Sequence, residues 1–144
     1  MKLIDELRTA KGFVAGLILT YDVTLDWFER LLGRQLAGQG VRRLAILADG
    51  KCLSETLAEQ LPLLHGAGRH YVIHSVTMPR GRFHPKLVLL SGPGRARLYV
   101  GSGNLSASGF GRNVEIFERW DTGVNEPTVP RAFEVARQFV ESIL

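Results

Sequence analysis

Apolar and polar positions fall along the chain in blocks that predict strands and helices in turn. Phe13-Val-Ala-Gly-Leu-Ile-Leu-Thr20 is an unbroken apolar run, as expected of a strand covered on both faces. Thr24 then reads as an N-cap, with Asp26 in the first turn. Trp27, Phe28, Leu31, Leu32 and Leu36 recur at helical spacing, and Gly38 and Gly40 end that helix. Val41 to Ala48 predicts a second buried strand. Ser54 opens a second amphipathic helix through Leu57, Leu61 and Leu64, limited by Pro62 and Gly66. Tyr71 to Met78 reads as a third strand.

After Pro79 the rhythm changes. Phe83 to Leu90, Ala96 to Val100 and Val114 to Trp120 predict three more strands joined by glycine-rich loops, and a last helix runs over about Val129 to Leu144. Strand and helix alternating, then a cluster of strands, predicts a layered α/β/α domain whose mixed sheet begins parallel. The whole chain, residues 1–144, reads as one domain. It ends within an apolar-faced helix on Ile143-Leu144, an ending expected of the N-terminal domain of a longer protein.

Composition narrows the class. Apolar residues make up 45% and charged residues 22%, which fits a globular domain rather than a disordered tail. No apolar run approaches the length of a membrane span, and the acidic, short-cored N-terminus does not resemble a signal peptide. A membrane partner is therefore not expected. A single cysteine, Cys52, excludes an internal disulfide framework and agrees with a reducing cytoplasm. The net charge of +4 favours a polyanionic partner. Arg80, Arg82, Arg95, Arg97 and Arg112 share one third of the chain, with no acidic residue between Arg80 and Asn113; they are the candidate nucleic-acid contacts.

Chemistry concentrates in the same third. On a strand, His84 and Lys86 point to one side, while the apolar Leu87 to Leu90 that follow predict burial. A polar pair there calls for a role. Gly101-Ser102-Gly103-Asn104 follows the next strand: the glycines permit a tight turn, and the hydroxyl and amide suit phosphate oxygens. Glu115 opens the strand after that, and a carboxylate near an imidazole can fix its tautomer. These are the parts of a phosphoryl-transfer site without a metal: an attacking histidine, charge-holding lysine and asparagine, and an acid for the leaving oxygen. His70 and His74 would lie about 13 Å apart on a strand, with no cysteine or acidic residue clustered beside them, so neither a metal nor another cofactor is called for. Asp22 and Asp49 read as turn and capping residues.

The ordered set His84-x-Lys86, Gly101-Ser102-x-Asn104 and Glu115 resembles the signature of the phospholipase D superfamily, most closely its single-motif nuclease branch and the related domains attached to helicases and restriction enzymes. The resemblance covers about Phe83 to Trp120. It implies the phospholipase D-like fold and a metal-independent phosphodiesterase, foremost an endonuclease, with DNA ahead of RNA and a setting in restriction or defence. It further implies that Lys86, Ser102 and Asn104 bind phosphate and that Glu115 orients His84. The family's site uses two His-x-Lys motifs, whereas this chain carries one, so a homodimer is implied. One His84 then forms a phosphohistidine and the other acts as acid. The family's full motif places an aspartate five residues beyond the lysine, where this chain has Ser91. That departure leaves open a degenerate domain that binds nucleic acid or dimerises without cutting. A phospholipase or phosphatidyltransferase would be expected to keep the full motif.

Overall fold

The computed structural model describes residues 2–126 and 128–144. Its frame is one six-stranded sheet built from β1 (Ala15–Thr20), β2 (Arg43–Asp49), β3 (Val72–Val76), β4 (Leu87–Gly92), β5 (Arg95–Gly101) and β6 (Phe117–Gly123), in the order β3-β2-β1-β4-β5-β6. β1, β2 and β3 run parallel, while β4, β5 and β6 alternate antiparallel from β1 outward. The sheet is thus parallel in its first half and mixed overall.

Alternating side chains on these strands feed two cores. Ile18, Ile46, Val88, Leu90 and Tyr99 face the helices that come first in the chain: α1 (Leu3–Arg8), α2 (Leu25–Trp27), α3 (Arg34–Gly38) and α4 (Gly50–Gln60). Leu19, Leu47, Leu87 and Leu98 face the other way, where Phe133, Ala136 and Val140 of α5 (Arg131–Ile143) cover them. This is the α/β/α layering the pattern predicts.

Several boundaries differ from the sequence reading, each with a local cause. α1 was not expected. Six residues with no side-chain cap carry little signal, and burial of Leu3 and Leu7 holds the helix in place. The helix expected after Thr24 is interrupted by a π-helical segment, Phe28–Gly33. Its wider turn displaces the apolar stripe, so Leu31 is exposed while Phe28, Leu32 and Leu36 are buried. α4 begins at Gly50 rather than Ser54, because the Asp49 carboxylate caps it by accepting from the N–H groups of Lys51 (3.2 Å) and Cys52 (3.3 Å). β4 starts at Leu87, not Phe83. Pro85 has no N–H to give the ladder, and only Lys86 extends it, its carbonyl accepting from Gly101 N–H at 3.0 Å. β6 starts at Phe117, three residues later than expected. β4 and β5 form a tight hairpin through Pro93-Gly94, with Gly94 at φ 65°, the residue pattern of a type II turn.

Among the described residues, no helix is long and apolar enough to cross a membrane.

Candidate functional site

Strand register decides what meets at each end of the sheet. Leu19 pairs with Leu87, Leu87 with Val100, and Gly101 with Phe117. The segments just before β4, just after β5 and just before β6 therefore share one edge, together with the chain leaving β1. These carry His84 and Lys86, then Ser102 and Asn104, then Glu115, and finally Tyr21 and Asp22. Residues far apart in sequence are assembled by topology alone.

His84 is exposed and Lys86 half-buried. The Lys86 ammonium donates toward the imidazole, with Nζ 2.6 Å from Nδ1 and 3.2 Å from Nε2, and also donates to the His84 carbonyl at 3.2 Å. Burial pushes the Lys86 ammonium below its ordinary pKa, and the nearby Glu115 carboxylate partly opposes that shift. The His84 ring also packs on Tyr21, centroid to centroid 4.4 Å, and Lys86 Nζ lies 5.7 Å from the same tyrosine ring. Lys86 and Tyr21 therefore orient the imidazole. Glu115 was expected to do so, but the structure sets its carboxylate against the Ser102 hydroxyl, which donates to it, with the Asn113 amide at 3.4 Å. Ser102 Oγ in turn accepts from Ile116 N–H at 3.0 Å, so Glu115 and Ser102 stitch the glycine turn to the start of β6.

The turn itself is held from two sides. Leu105 N–H donates to Thr20 Oγ1 (3.0 Å), Thr24 N–H to the Leu105 carbonyl (3.0 Å), and Asp22 N–H reaches Asn104 Oδ1 at 3.4 Å. A Cβ on Gly103 would fall on the carbonyl oxygen of Gly109, so close approach of two backbones, not a positive φ, requires that glycine.

Sequence reasoning missed two residues that shape this edge. Tyr21 follows the apolar run of β1 and carries no motif of its own; its place at the end of an inner strand was the available signal. Asp49 was read as a cap, which it is, yet it does more. Its buried carboxylate also accepts from Phe83 N–H (3.0 Å) and pairs with Arg82 (3.3 Å), fixing the backbone that leads into His84. Burial alone would raise the Asp49 carboxyl, but the N–H groups of Phe83 and Cys52 and the Arg82 charge bring it below the usual carboxylate range.

The five candidate arginines do not stay together. Arg80, Arg82 and Arg112 lie in exposed segments that flank the site in the chain. Arg95 and Arg97 start β5 at the opposite end of the sheet, about 20 Å from Ser102 along the strand. Both stack on Phe13 (5.4 and 5.6 Å), and Arg97 is paired with Asp121 at 2.5 Å. The hairpin carries them away, so they form no rim around His84. Ser91 likewise sits at the far end of β4, so an aspartate at that position would not reach the imidazole. Among the described residues, no three His, Cys, Asp or Glu side chains gather as a metal-binding group, and His70 and His74 are both exposed.

No protein-family model matches the chain, and no curated protein is significantly similar to it. Solved structures do resemble it. NucT from Helicobacter pylori superposes with a TM-score of 0.61 at 15% identity, over 98% of this chain and 84% of that one. Polyphosphate kinase from Porphyromonas gingivalis gives a TM-score of 0.46 at 13% identity, over 96% of this chain and 23% of that one. The first likeness establishes the fold, a layered α/β/α domain on a mixed six-stranded sheet.

Proposed function

We propose that this chain is a metal-independent phosphodiesterase, an endonuclease-type domain that cleaves DNA or RNA in a site completed by a second copy. The observation that carries the reading is the meeting of His84, Lys86, Ser102, Asn104 and Glu115 on one sheet edge, where β4, β5 and β6 begin or end. The phospholipase D-like fold and the motif order support it.

The chemistry follows from the contacts. A phosphodiester is a stronger acceptor than a neutral imidazole and draws the Lys86 ammonium onto its oxygens. A ring nitrogen of His84 is then free to attack phosphorus. The N–P bond forms as the P–O bond to the leaving strand breaks, and the second copy's His84 protonates that oxygen. Water next attacks the phosphohistidine and restores the ring. Lys86 and Asn104 stabilise the charge on the oxygens in flight; Ser102 joins them by turning its hydroxyl from Glu115 to the phosphate, as the Lys86 ammonium turns from the imidazole.

The test is cleavage of single- and double-stranded DNA and RNA in excess EDTA, wild type beside His84→Ala. Cleavage that survives EDTA and disappears in His84→Ala supports the reading. Cleavage that needs magnesium, or that is equal in both proteins, overturns it, and nucleic-acid binding without cleavage by the dimer identifies a binding domain instead.

A further inference from the structure

Two adjoining cavities, of about 530 and 390 Å³, share Leu44, His70 and Tyr71, and the smaller lies where β1, β2 and β3 start, at the end of the sheet opposite His84. The larger lies between the Phe28–Gly33 π-helical segment with α3 and the chain from Pro62 to Tyr71. Ala37, Leu44, Pro62 and Leu63 give it an accessible apolar wall, and the exposed His65 and His70 give it polar edges. The smaller cavity opens beside it at the start of β2, rimmed by Arg42, Arg43 and Arg69.

The free charge of this region is positive. Two carboxylates line the larger cavity, and both are engaged: Asp26 pairs with Arg30 at 2.7 Å. Glu29 accepts from the N–H groups of His65 (2.8 Å), Gly66 (2.8 Å) and Ala67 (3.1 Å) and from the Tyr71 hydroxyl (2.8 Å). Among the described residues, no ion pair involves Arg34, Arg42, Arg43 or Arg69. The Glu29 strap also fixes the cavity wall before anything binds, which lowers the entropy lost on binding. A π-helical turn is an uncommon local structure that recurs at binding sites.

We propose that this region is a binding site for a nucleoside phosphate, separate from the His84 edge. The larger cavity has the volume of a small-molecule site and suits a planar base against its apolar wall, with His65 and His70 meeting the heteroatoms of the base. The adjoining arginines then fork onto the phosphates. The same chemistry is offered by a free nucleotide and by the phosphorylated end of a strand. The assignment rests on these cavities and not on the phosphodiesterase reading, because the arginines at the starts of β2 and β3 lie about 20 Å along the strands from the His84 edge.

Calorimetric titration tests it with ADP, adenosine, inorganic phosphate and a 5′-phosphorylated oligonucleotide, against wild type, Arg43→Ala/Arg69→Ala and His84→Ala. Both arginines are exposed, so the double variant is expected to melt with the wild type. The expected result is saturable ADP binding, at least ten-fold weaker for adenosine or phosphate alone. That binding falls at least ten-fold in the double variant and is unchanged in His84→Ala. Oligonucleotide binding as tight as ADP, with the same dependence on the two arginines, supports the site as one for strand ends. Absence of saturable ADP binding at millimolar concentration overturns the proposal, as does binding lost in His84→Ala but kept in the double variant.

Discussion

The buried carboxylate of Asp49, at the end of β2, accepts a hydrogen bond from the backbone N–H of Phe83 at 3.0 Å. Phe83 precedes His84, and the same carboxylate caps α4. One side chain therefore fixes a helix start and the segment that bears the histidine. Asp49→Ala is expected to cost about 2–3 kcal/mol, combining a lost cap with buried donors left unpaired. Asp49→Asn keeps one acceptor oxygen and should cost less. Urea unfolding measures both, and a midpoint unchanged in Asp49→Ala would show that the carboxylate does not hold this segment.

Glu29 supports a second prediction, for stability against pH. Burial by itself raises its carboxyl pKa, but the N–H groups of His65 and Gly66, the Tyr71 hydroxyl and Ala67 N–H together bring it below its ordinary value. The unfolded value is about 4.3. A group depressed in the folded state contributes stability that is fully present above the unfolded value and is lost as pH falls through the folded one. Unfolding free energy should therefore drop as pH is lowered from about 5. Glu29→Gln should be less stable at neutral pH by about 1–3 kcal/mol and show a shallower acid decline. Parallel declines in the two proteins would assign the acid sensitivity elsewhere.

The motif and the layering were legible in the sequence because both are local or periodic. His84-x-Lys86 and Gly101-Ser102-x-Asn104 each lie within a few residues, and alternation on the strands marks both cores. What was not legible depends on contacts distant in sequence. Asp49 reaches Phe83 across 34 residues, and Tyr21 touches His84 only because β1 and β4 are neighbours. Arg95 and Arg97 misled for the opposite reason: nearness in sequence placed them by the motif, while a hairpin turned them to the far end of the sheet.

Lys86 and Glu115 supply a prediction for activity. The Lys86 ammonium is already easier to deprotonate than an ordinary lysine, and Glu115 works against that. Cleavage that needs charged Lys86 should fall as pH rises through its lowered pKa. Removing the carboxylate lowers that pKa further, so Glu115→Gln should move the alkaline limb of the pH–rate profile to lower pH. Lys86→Met should reduce kcat by about two orders of magnitude or more, as expected for loss of a charge-stabilising donor. An unmoved alkaline limb in Glu115→Gln would mean that the limb reports some other group.

The shared-site reading makes a demand on the surface around Glu115. Val114 is fully exposed and Ile116 is 79% exposed, so two apolar side chains flank a site carboxylate and face outward on the edge that carries His84. Lone exposed apolar residues are ordinary, but a β-branched pair beside a half-site is where a second copy would gain contact area while bringing its own His84 to the phosphate. Val114→Glu/Ile116→Glu puts like charges face to face across such a contact and should convert a dimer to a monomer. It should change the protomer's own unfolding free energy by no more than about 0.5 kcal/mol, as for most surface changes, and abolish cleavage. Sedimentation and the EDTA-resistant assay read the two effects on one sample. Monomers that still cleave at the wild-type rate would show that one His84 suffices. Dimers that persist with activity intact would place the interface on another surface.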